Sequence, residues 1–156
     1  MKIGLIGSSG FIGRNLRFSL NNNSKVTTIN WDRDKHGNFL LPNDRKSFLD
    51  QYAFDMIYQL SWTNINDSNY RLNVNNNSFA DATLDFVYRC IERDIRIVAI
   101  GTHQESELSE SDIYLRSKEF LLRSILDMNS NLVSLIRPTF VFSIEDRRPH
   151  LFRSFI

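Results

Sequence analysis

The chain has 156 residues with an ordinary share of apolar, aromatic and charged side chains, which excludes disordered, collagen-like, coiled-coil and disulfide-rich classes. A chain of this length buries enough surface for one core, and a second domain of usual size does not fit. Its 19 Lys and Arg nearly balance 18 Asp and Glu, so nucleic acid is a poor candidate partner.

The sequence also argues against export, a membrane span and a metal site. Cys90 is the only cysteine, which excludes an intramolecular disulfide and favours a reduced compartment. The apolar run at Met1–Gly7 is too short for a signal peptide, and no stretch approaches the ~20 apolar residues of a membrane helix. The three histidines lack metal-ligand spacing. We therefore expect a cytoplasmic protein.

The first thirty residues predict a strand, a tight turn, a helix and a second strand. Lys2–Ile6 is an apolar run that stops at a glycine cluster, and apolar residues then recur at helical spacing over Phe11–Leu20. After a polar break, Lys25–Asn30 is β-branched and typical of a strand.

The next thirty residues predict three short elements. Phe39–Leu41 is interpreted as a short strand ended by Pro42. Asn43–Tyr52 is predicted to be a helix capped by Asn43 or Asp44, and Asp55–Leu60 to be a buried strand.

The second half of the chain alternates long helices with strands. Helical spacing of apolar residues predicts a helix over Tyr70–Arg93, followed by a doubly covered strand at Ile95–Ile100. Ser109–Asp112 is able to cap a helix over Ser111–Met128, which leads to a strand at Leu132–Ile136. This alternation predicts an α/β fold, a three-layer Rossmann-type doubly wound parallel sheet with a ligand crevice at the carboxyl ends of its strands.

The glycine cluster is predicted to bind the pyrophosphate of a dinucleotide. Three of the six glycines, Gly7, Gly10 and Gly13, lie where the first strand becomes the first helix. Gly7 permits the sharp turn, Gly10 allows close approach of a phosphate, and Gly13 allows tight packing of the helix on the strand. The alternative is a glycine-rich turn without a ligand.

The end of the second strand bears on the choice between NAD and NADP. Asp32 lies at the spacing of a ribose-binding carboxylate, whereas Asn30 occupies the strand end and does not repel a 2′-phosphate. Arg33 is able to pair with such a phosphate. These residues favour NADP slightly, and the alternative is that Asp32 and Arg33 are merely solvated loop charges.

A tyrosine and a lysine form a candidate catalytic pair. Tyr114 and Lys118 stand at i and i+4 on a predicted helix, where the ammonium favours the phenolate needed for proton exchange with a carbonyl. Thr102 follows the Ile95–Ile100 strand and is able to share a hydrogen bond with the same substrate oxygen. The alternatives are an interfacial tyrosine beside a snorkelling lysine, and a turn-capping threonine. Trp31 and Trp62 follow strand ends near the predicted crevice. Either is able to form the wall of an adenine or nicotinamide pocket, and packing is the favoured interpretation of both.

In this order, the motifs resemble those of the extended short-chain dehydrogenase/reductase family, the nucleotide-sugar epimerase, reductase and dehydratase group. The turn Gly7–Gly13 resembles the family's Gly-x-x-Gly-x-x-Gly, and Tyr114 and Lys118 its Tyr-x-x-x-Lys pair. Asp55–Ser61 is similar to Asp-x-Val-Ile-His-Leu-Ala, with Gln59 for His and Ser61 for Ala. Asn73–Asn75 resembles the start of Asn-Val-x-Gly-Thr, and Asn76 and Asn77 replace its Gly and Thr. Thr102 stands at the position of the catalytic Ser/Thr, and Arg137–Ser143 resembles Arg-Pro-x-x-Val-Tyr-Gly.

The resemblance implies hydride transfer with an NAD(P) cofactor and a nucleotide-sugar substrate. Tyr114 is then the general acid/base, Lys118 holds the ribose and lowers the tyrosine pKa, and Thr102 orients the substrate oxygen. His103 and Gln104 stand where related dehydratases place acidic residues, which favours 4-keto reduction or epimerisation, although Glu105 leaves dehydration open. The cofactor contacts implied for the chain are Gly7, Ser9, Gly10, Phe11, Ile12, Asn30, Arg33, Leu60, Ser61 and Lys118.

The same resemblance bears on domains and partners. Residues 1–143 are expected to form the NAD(P)-binding Rossmann domain and 144–156 the start of a truncated substrate lobe. The Tyr70 and Tyr114 helices are where related proteins form a dimer, so a homodimer is a hypothesis. Two alternatives to an enzyme are a cofactor-binding module without turnover and an interaction protein with a vestigial Rossmann fold.

Overall fold

Five parallel strands form the centre of the molecule in a computed structural model that describes residues 1–63, 67–106 and 111–139. The strands pair in the order β2-β1-β3-β4-β5, and every pair is parallel. This arrangement confirms the predicted α/β fold class. The strands are β1 (Lys2–Ile6), β2 (Thr27–Asn30), β3 (Met56–Gln59), β4 (Arg96–Ile100) and β5 (Val133–Ile136).

Helices connect the strands and flank the sheet. They are α1 (Phe11–Asn21), α2 (Arg33–His36), α3 (Pro42–Gln51), α4 (Asn75–Ile91) and α5 (Ile113–Asp127), with 3₁₀ turns at Tyr70–Leu72 and His103–Ser106. Right-handed crossovers place α1 on the face opposite α3, α4 and α5, because the chain moves to β2 on one side of β1 and then across to β3, β4 and β5. The main core lies between the sheet and α3, α4 and α5.

The core explains why the single cysteine carries no chemistry. Cys90 is buried on α4 beside Phe86 and Val87, in the cluster that also contains Ile57 and Ile97 of the sheet. Burial disfavours the thiolate and raises the pKa of the Cys90 thiol to about 12. This thiol is a packing group at neutral pH.

The strand predicted at Phe39–Leu41 is wrong, because these residues form a turn into α3. Asn38 directs the turn: its carbonyl accepts from the N–H of Leu41, and its side chain accepts from the N–H of Leu40. Phe39 enters the core through this turn rather than through a sheet. Pro42 is the first residue of the helix, where its missing N–H costs nothing, instead of the end of a strand.

The predicted caps of α3 are also wrong. The residue that precedes the helix is Leu41, which provides no side-chain cap. Asp44 lies in the first turn, and its carboxylate accepts a hydrogen bond from the backbone N–H of Asn38 at 2.7 Å. It therefore stabilises the preceding turn as well as the positive end of the helix.

The helix predicted over Tyr70–Arg93 is two elements. Asn73 separates the 3₁₀ turn from α4 because its backbone is extended and its side chain accepts from the N–H of Asn75 at 2.9 Å. Apolar spacing does not detect this local side-chain bond. The cap predicted for α5 is confirmed at Asp112, which accepts from the N–H of Leu115 at 2.9 Å.

The described parts of the chain contain neither a candidate membrane span nor a candidate metal-binding cluster. None of the helices there has both the length and the apolar character required to cross a bilayer. Among the same residues, no group of three or more His, Cys, Asp and Glu side chains is placed to hold a metal ion.

Candidate functional site

The glycine turn packs tightly against the chain that follows β3 and against the first turn of α1. Gly7 has a φ of +87°, and a β-carbon there would lie 2.6 Å from the backbone nitrogen of Ser61, which follows β3. A β-carbon on Gly13 would lie 2.1 Å from the Gly7 oxygen. Both positions therefore require glycine, which confirms the conformational reasons predicted for them.

The start of α1 is open toward solvent in the way that a phosphate requires. Gly10 is the N-cap, no side chain caps the helix, and its first turn contains no acidic residue. A β-carbon on Gly10 would meet only the Gly7 oxygen, at 3.3 Å, so space remains above the turn. Ser9 is exposed there, whereas Phe11 and Ile12 are half-buried. Because a helix N-terminus attracts anions, this turn fits a pyrophosphate.

The end of β2 offers an unsatisfied acceptor beside that turn. The Oδ1 atom of Asn30 is buried and has no hydrogen-bond partner within the described ranges. A ribose hydroxyl is a donor of the kind this oxygen lacks. Asp32 instead caps α2 by accepting from the N–H of Asp34 at 3.0 Å, and Arg33 is exposed at the start of that helix. Asp32, the carboxylate at the spacing expected for ribose binding, thus accepts a hydrogen bond within its own turn.

Tyr114 and Lys118 lie on successive turns of α5 and face the same edge of the sheet. The Lys118 side chain is buried, with a residue exposure of 3%. Its Nζ donates to the carbonyl oxygen of Ile100, the last residue of β4, at 2.8 Å. The same nitrogen lies 5.8 Å from the centroid of the Tyr114 ring. The ammonium is therefore fixed near the phenol by the end of a strand.

Trp62 packs against the core, as predicted, and also contacts the candidate catalytic pair. Its ring centroid lies 3.4 Å from Nζ of Lys118, a cation–π contact, and its Nε1 donates to Oδ1 of Asn76 at 2.7 Å. Tyr70 meets Tyr114 edge to face at 5.3 Å. Trp31, in contrast, packs on Phe48 in the core at 4.9 Å, which confirms its predicted role.

The two asparagines that depart from the family motif hold this arrangement together. Asn76 is fully buried and donates to the carbonyl oxygens of Tyr70 and Asn73 while it accepts from Trp62. Asn77 accepts from the hydroxyl of Ser117 at 2.7 Å and so ties α4 to α5. These amides substitute for the smaller residues of the motif with hydrogen bonds to the elements around the site.

An ion pair anchors the start of α5 to the 3₁₀ turn. Nε of Arg71 lies 2.6 Å from Oδ2 of Asp112. Burial lowers the pKa of Arg71, but the hydrogen bond and the charge of Asp112 outweigh it and raise the pKa overall. Asp112 thus caps the helix that carries Tyr114 and binds the segment that carries Tyr70.

Thr102 lies at the carboxyl end of β4, where the sequence predicted it. The residue is buried, its hydroxyl accepts from the N–H of Gln104 at 3.4 Å, and its carbonyl accepts from Nε of Arg137 at 3.2 Å. The ring of His103 contacts the carbonyl oxygen of Pro138 at 3.3 Å. The ends of β4 and β5 are therefore joined, and the Thr102 hydroxyl participates in the turn that the alternative interpretation expected.

A buried amide next to the glycine turn was not identified as a site residue. Gln59 donates to the Thr83 hydroxyl at 3.0 Å and accepts from the backbone nitrogen and the hydroxyl of Ser61, both at 3.0 Å. Leu60, between them, donates its N–H to the carbonyl of Ile6 at 2.8 Å. Only the substitutions in the Asp55–Ser61 motif signalled this network. The 144–156 segment and the part of the Arg137–Ser143 motif beyond Thr139 lie outside the described residues.

Comparison with known proteins supports the fold. No protein-family model and no curated protein matches the chain. Solved structures do match: a dTDP-4-dehydrorhamnose reductase from Clostridium acetobutylicum has a TM-score of 0.70 at 14% identity and covers 94% of this chain. A GDP-L-fucose synthetase from Naegleria fowleri, bound to NADP, has a TM-score of 0.72 at 12% identity and covers 98%. An ADP-L-glycero-D-manno-heptose-6-epimerase from Helicobacter pylori has a TM-score of 0.69 at 16% identity and covers 87%.

These similarities confirm the resemblance at the level of the fold. The chain spans 56%, 59% and 54% of those three proteins, in the same order. It is thus structurally similar to about half of several nucleotide-sugar reductases and epimerases. Identities this low show a shared architecture, and the activity must be argued from the site.

Proposed function

We propose that the chain binds NAD(P), preferably NADP, and that Tyr114, Lys118 and Thr102 act with it on a nucleotide-activated sugar by 4-keto reduction or epimerisation. One observation carries the proposal. The open, glycine-lined start of α1 and the Tyr114–Lys118 pair lie at the same carboxyl edge of one parallel sheet. Ligands of such sheets bind at that edge.

The cofactor contacts follow the geometry of that edge. The glycine turn and the first N–H groups of α1 would hold the pyrophosphate, and Asn30 the adenosine ribose. Arg33, exposed at the start of α2, would pair with a 2′-phosphate, and Lys118 would bind the ribose on the nicotinamide side. The whole proposed set is Gly7, Ser9, Gly10, Phe11, Ile12, Asn30, Arg33, Leu60, Ser61 and Lys118. Three solved neighbours carry NADP or NADPH in their names, which supports this cofactor class.

The residues of the chain supply proton transfer and positioning. When bound, a nicotinamide cofactor supplies or accepts a hydride. The Tyr114 hydroxyl would then give a proton to the sugar oxygen, or take one from it. Lys118 stabilises the phenolate electrostatically from its fixed position beneath Trp62. Thr102, at the end of β4, would orient the same oxygen.

A turnover experiment tests the enzymatic part of the proposal. The chain is incubated with NADPH and a panel of 4-keto nucleotide-sugars, and oxidation is followed by absorbance. We expect Tyr114→Phe to lower kcat by about 10²–10⁴-fold, the range for loss of a general acid, with dinucleotide binding retained. Tyr88→Phe, on the exposed side of α4, is the matched control and should retain full activity.

The same panel decides between the enzyme and its alternative. Turnover that survives Tyr114→Phe refutes the catalytic assignment. Dinucleotide binding without turnover of any substrate supports a catalytically inactive NAD(P)-binding module instead. A chain that binds neither NADPH nor NADH at millimolar concentration supports a vestigial Rossmann fold.

We also propose that α4 and α5 form a homodimer interface. The two helices pack side by side, and each has an aromatic residue that is about half exposed to solvent, Tyr88 on α4 and Phe120 on α5. Aromatic residues are enriched at protein interfaces. Light scattering that gives twice the mass of the chain supports the dimer, and a monomeric mass at the same concentration refutes it.

A further inference from the structure

The orientation of the Gln59 amide is determined by its neighbours. Gln59 is the last residue of β3 and is 2% exposed, between Ile6 of β1 and Ala99 of β4 in the register. One end of its amide lies 3.0 Å from the backbone nitrogen of Ser61. A backbone N–H only donates, so the atom that faces it must be the oxygen, and the NH₂ group faces Thr83.

This orientation determines what the Ser61 hydroxyl is able to do. The hydroxyl lies 3.0 Å from the same amide oxygen, which only accepts hydrogen bonds. Ser61 must therefore donate its proton to Gln59, and its remaining lone pairs are acceptors. Since the residue is half-buried at the site edge, a ligand group that bonds to this hydroxyl has to be a donor.

Ser61 stands between the two halves of the site. On one side its backbone nitrogen packs against Gly7 of the phosphate-binding turn. On the other, its neighbour Trp62 covers the Lys118 ammonium. Under the proposed function, the part of the dinucleotide that spans this interval is the ribose on the nicotinamide side. Its hydroxyl groups are donors, whereas the oxygens of the pyrophosphate are acceptors only.

We propose that Ser61 accepts a hydrogen bond from a hydroxyl of the nicotinamide-side ribose, and that Gln59 is the positioning residue that makes Ser61 an acceptor. The inference rests on the proposed function and adds a specificity determinant to it. It assigns a role to two positions at which the chain departs from the motif that it resembles.

Two ligands and two variants test the role of Ser61. NADPH carries the ribose in question, and adenosine 2′,5′-bisphosphate lacks it. Because one net hydrogen bond is lost, we expect Ser61→Ala to weaken NADPH binding by about 3- to 10-fold and to change binding of the bisphosphate by less than about 2-fold. Ser61→Thr retains the hydroxyl and should restore most of the affinity for NADPH.

A double-mutant cycle tests the role of Gln59. Gln59→Leu should weaken NADPH binding, but by no more than Ser61→Ala, because the Ser61 hydroxyl remains and loses only the partner that orients it. The double variant should bind NADPH no more weakly than Ser61→Ala, because without the hydroxyl nothing is left for Gln59 to orient. Thr83→Val is the matched control: it removes the other partner of the amide but leaves the oxygen on Ser61, so NADPH binding should stay within about 2-fold. Where Gln59→Leu fails to fold, the comparison of Ser61→Ala with Ser61→Thr still decides whether the Ser61 hydroxyl contacts the ribose.

The possible outcomes separate this inference from the proposed function. Equal NADPH affinity of the wild type and Ser61→Ala overturns the inference alone. An equal loss for both ligands also overturns it, because the contact then lies on the adenosine side. A wild-type chain that binds neither ligand overturns the proposed function and the inference together. Additive losses in the cycle overturn the role of Gln59.

Discussion

Substitution by alanine should have different effects on stability and on dinucleotide binding at two glycines of the turn, Gly10 and Gly13. In Gly13→Ala, the new methyl group would lie 2.1 Å from the Gly7 oxygen and 2.7 Å from the Ser8 α-carbon. These are backbone atoms, so no side chain is able to rotate away. In Gly10→Ala, the methyl group would meet only the Gly7 oxygen, at 3.3 Å, with a φ of −69° that any residue adopts.

The magnitude follows from those contacts. An ordinary contact begins near 3.4 Å, so α1 must move from the turn by about 1 Å in Gly13→Ala. Overpacking costs about 1–3 kcal/mol, and backbone obstacles favour the upper end of that range. Alanine recovers up to ~1 kcal/mol of helix propensity. We therefore expect a net loss of about 2 kcal/mol for Gly13→Ala, and a change within ~1 kcal/mol for Gly10→Ala.

Urea unfolding of the wild type and both variants measures this difference. With an m-value of about 2 kcal/mol/M, Gly13→Ala should lower the midpoint by about 1 M at unchanged m-value. In a parallel titration, Gly10→Ala should lose dinucleotide affinity by more than about 10-fold, because its methyl group stands where the phosphate approaches. Wild-type stability of Gly13→Ala, or a larger destabilisation by Gly10→Ala, would refute the packing argument.

Three further predictions concern groups away from the turn. The buried Cys90 thiol, whose pKa is raised to about 12, should react with a thiol reagent at pH 8 only as fast as the chain unfolds, and rapid labelling of the native protein would contradict its burial. Burial raises the pKa of Asp85, but hydrogen bonds from Arg89 and Arg45 outweigh it and lower the pKa overall. The contribution of Asp85 to the free energy of unfolding is therefore present above the unfolded pKa of about 3.9 and is lost as the pH falls through the lower folded pKa. The destabilisation by Asp85→Asn should therefore shrink below about pH 4. A stability difference between the wild type and Asp85→Asn that is independent of pH in chemical denaturation would argue against the ion pairs. Asp112→Ala should lower the free energy of unfolding in urea by about 1–2 kcal/mol, and Asp112→Asn, which retains a capping oxygen, should lower it distinctly less. Equal losses of stability in the two variants would show that the cap is unimportant.

The order of strands and helices could be predicted because each long element has a strong apolar pattern. The runs at Lys2–Ile6 and Ile95–Ile100 are nearly continuous, as expected for strands covered on both faces, and α4 and α5 have clear apolar stripes. The failures are all short segments. At α2 and at Phe39–Leu41, the conformation is determined by local hydrogen bonds in which the side chains of Asp32 and Asn38 accept from nearby backbone N–H groups. The periodicity of apolar residues carries no information about such bonds.

The candidate site was predictable to the extent that its residues follow strands or share a helix. The glycine turn, Thr102 and the Tyr114–Lys118 pair were found because parallel strands bring their carboxyl ends to one edge. The contact of Trp62 with Lys118 and the hydrogen bond from Ser61 to Gln59 depend on side-chain conformations within the folded chain. Spacing in the sequence does not determine either.

Equilibrium titration of the wild-type chain with NADPH, followed by tryptophan fluorescence, tests the central proposal most directly. We expect saturable binding of one dinucleotide per chain, competition by adenosine 2′,5′-bisphosphate, and loss of affinity in Gly10→Ala. The absence of saturable binding up to millimolar NADPH, in a chain that unfolds cooperatively in urea, would contradict it.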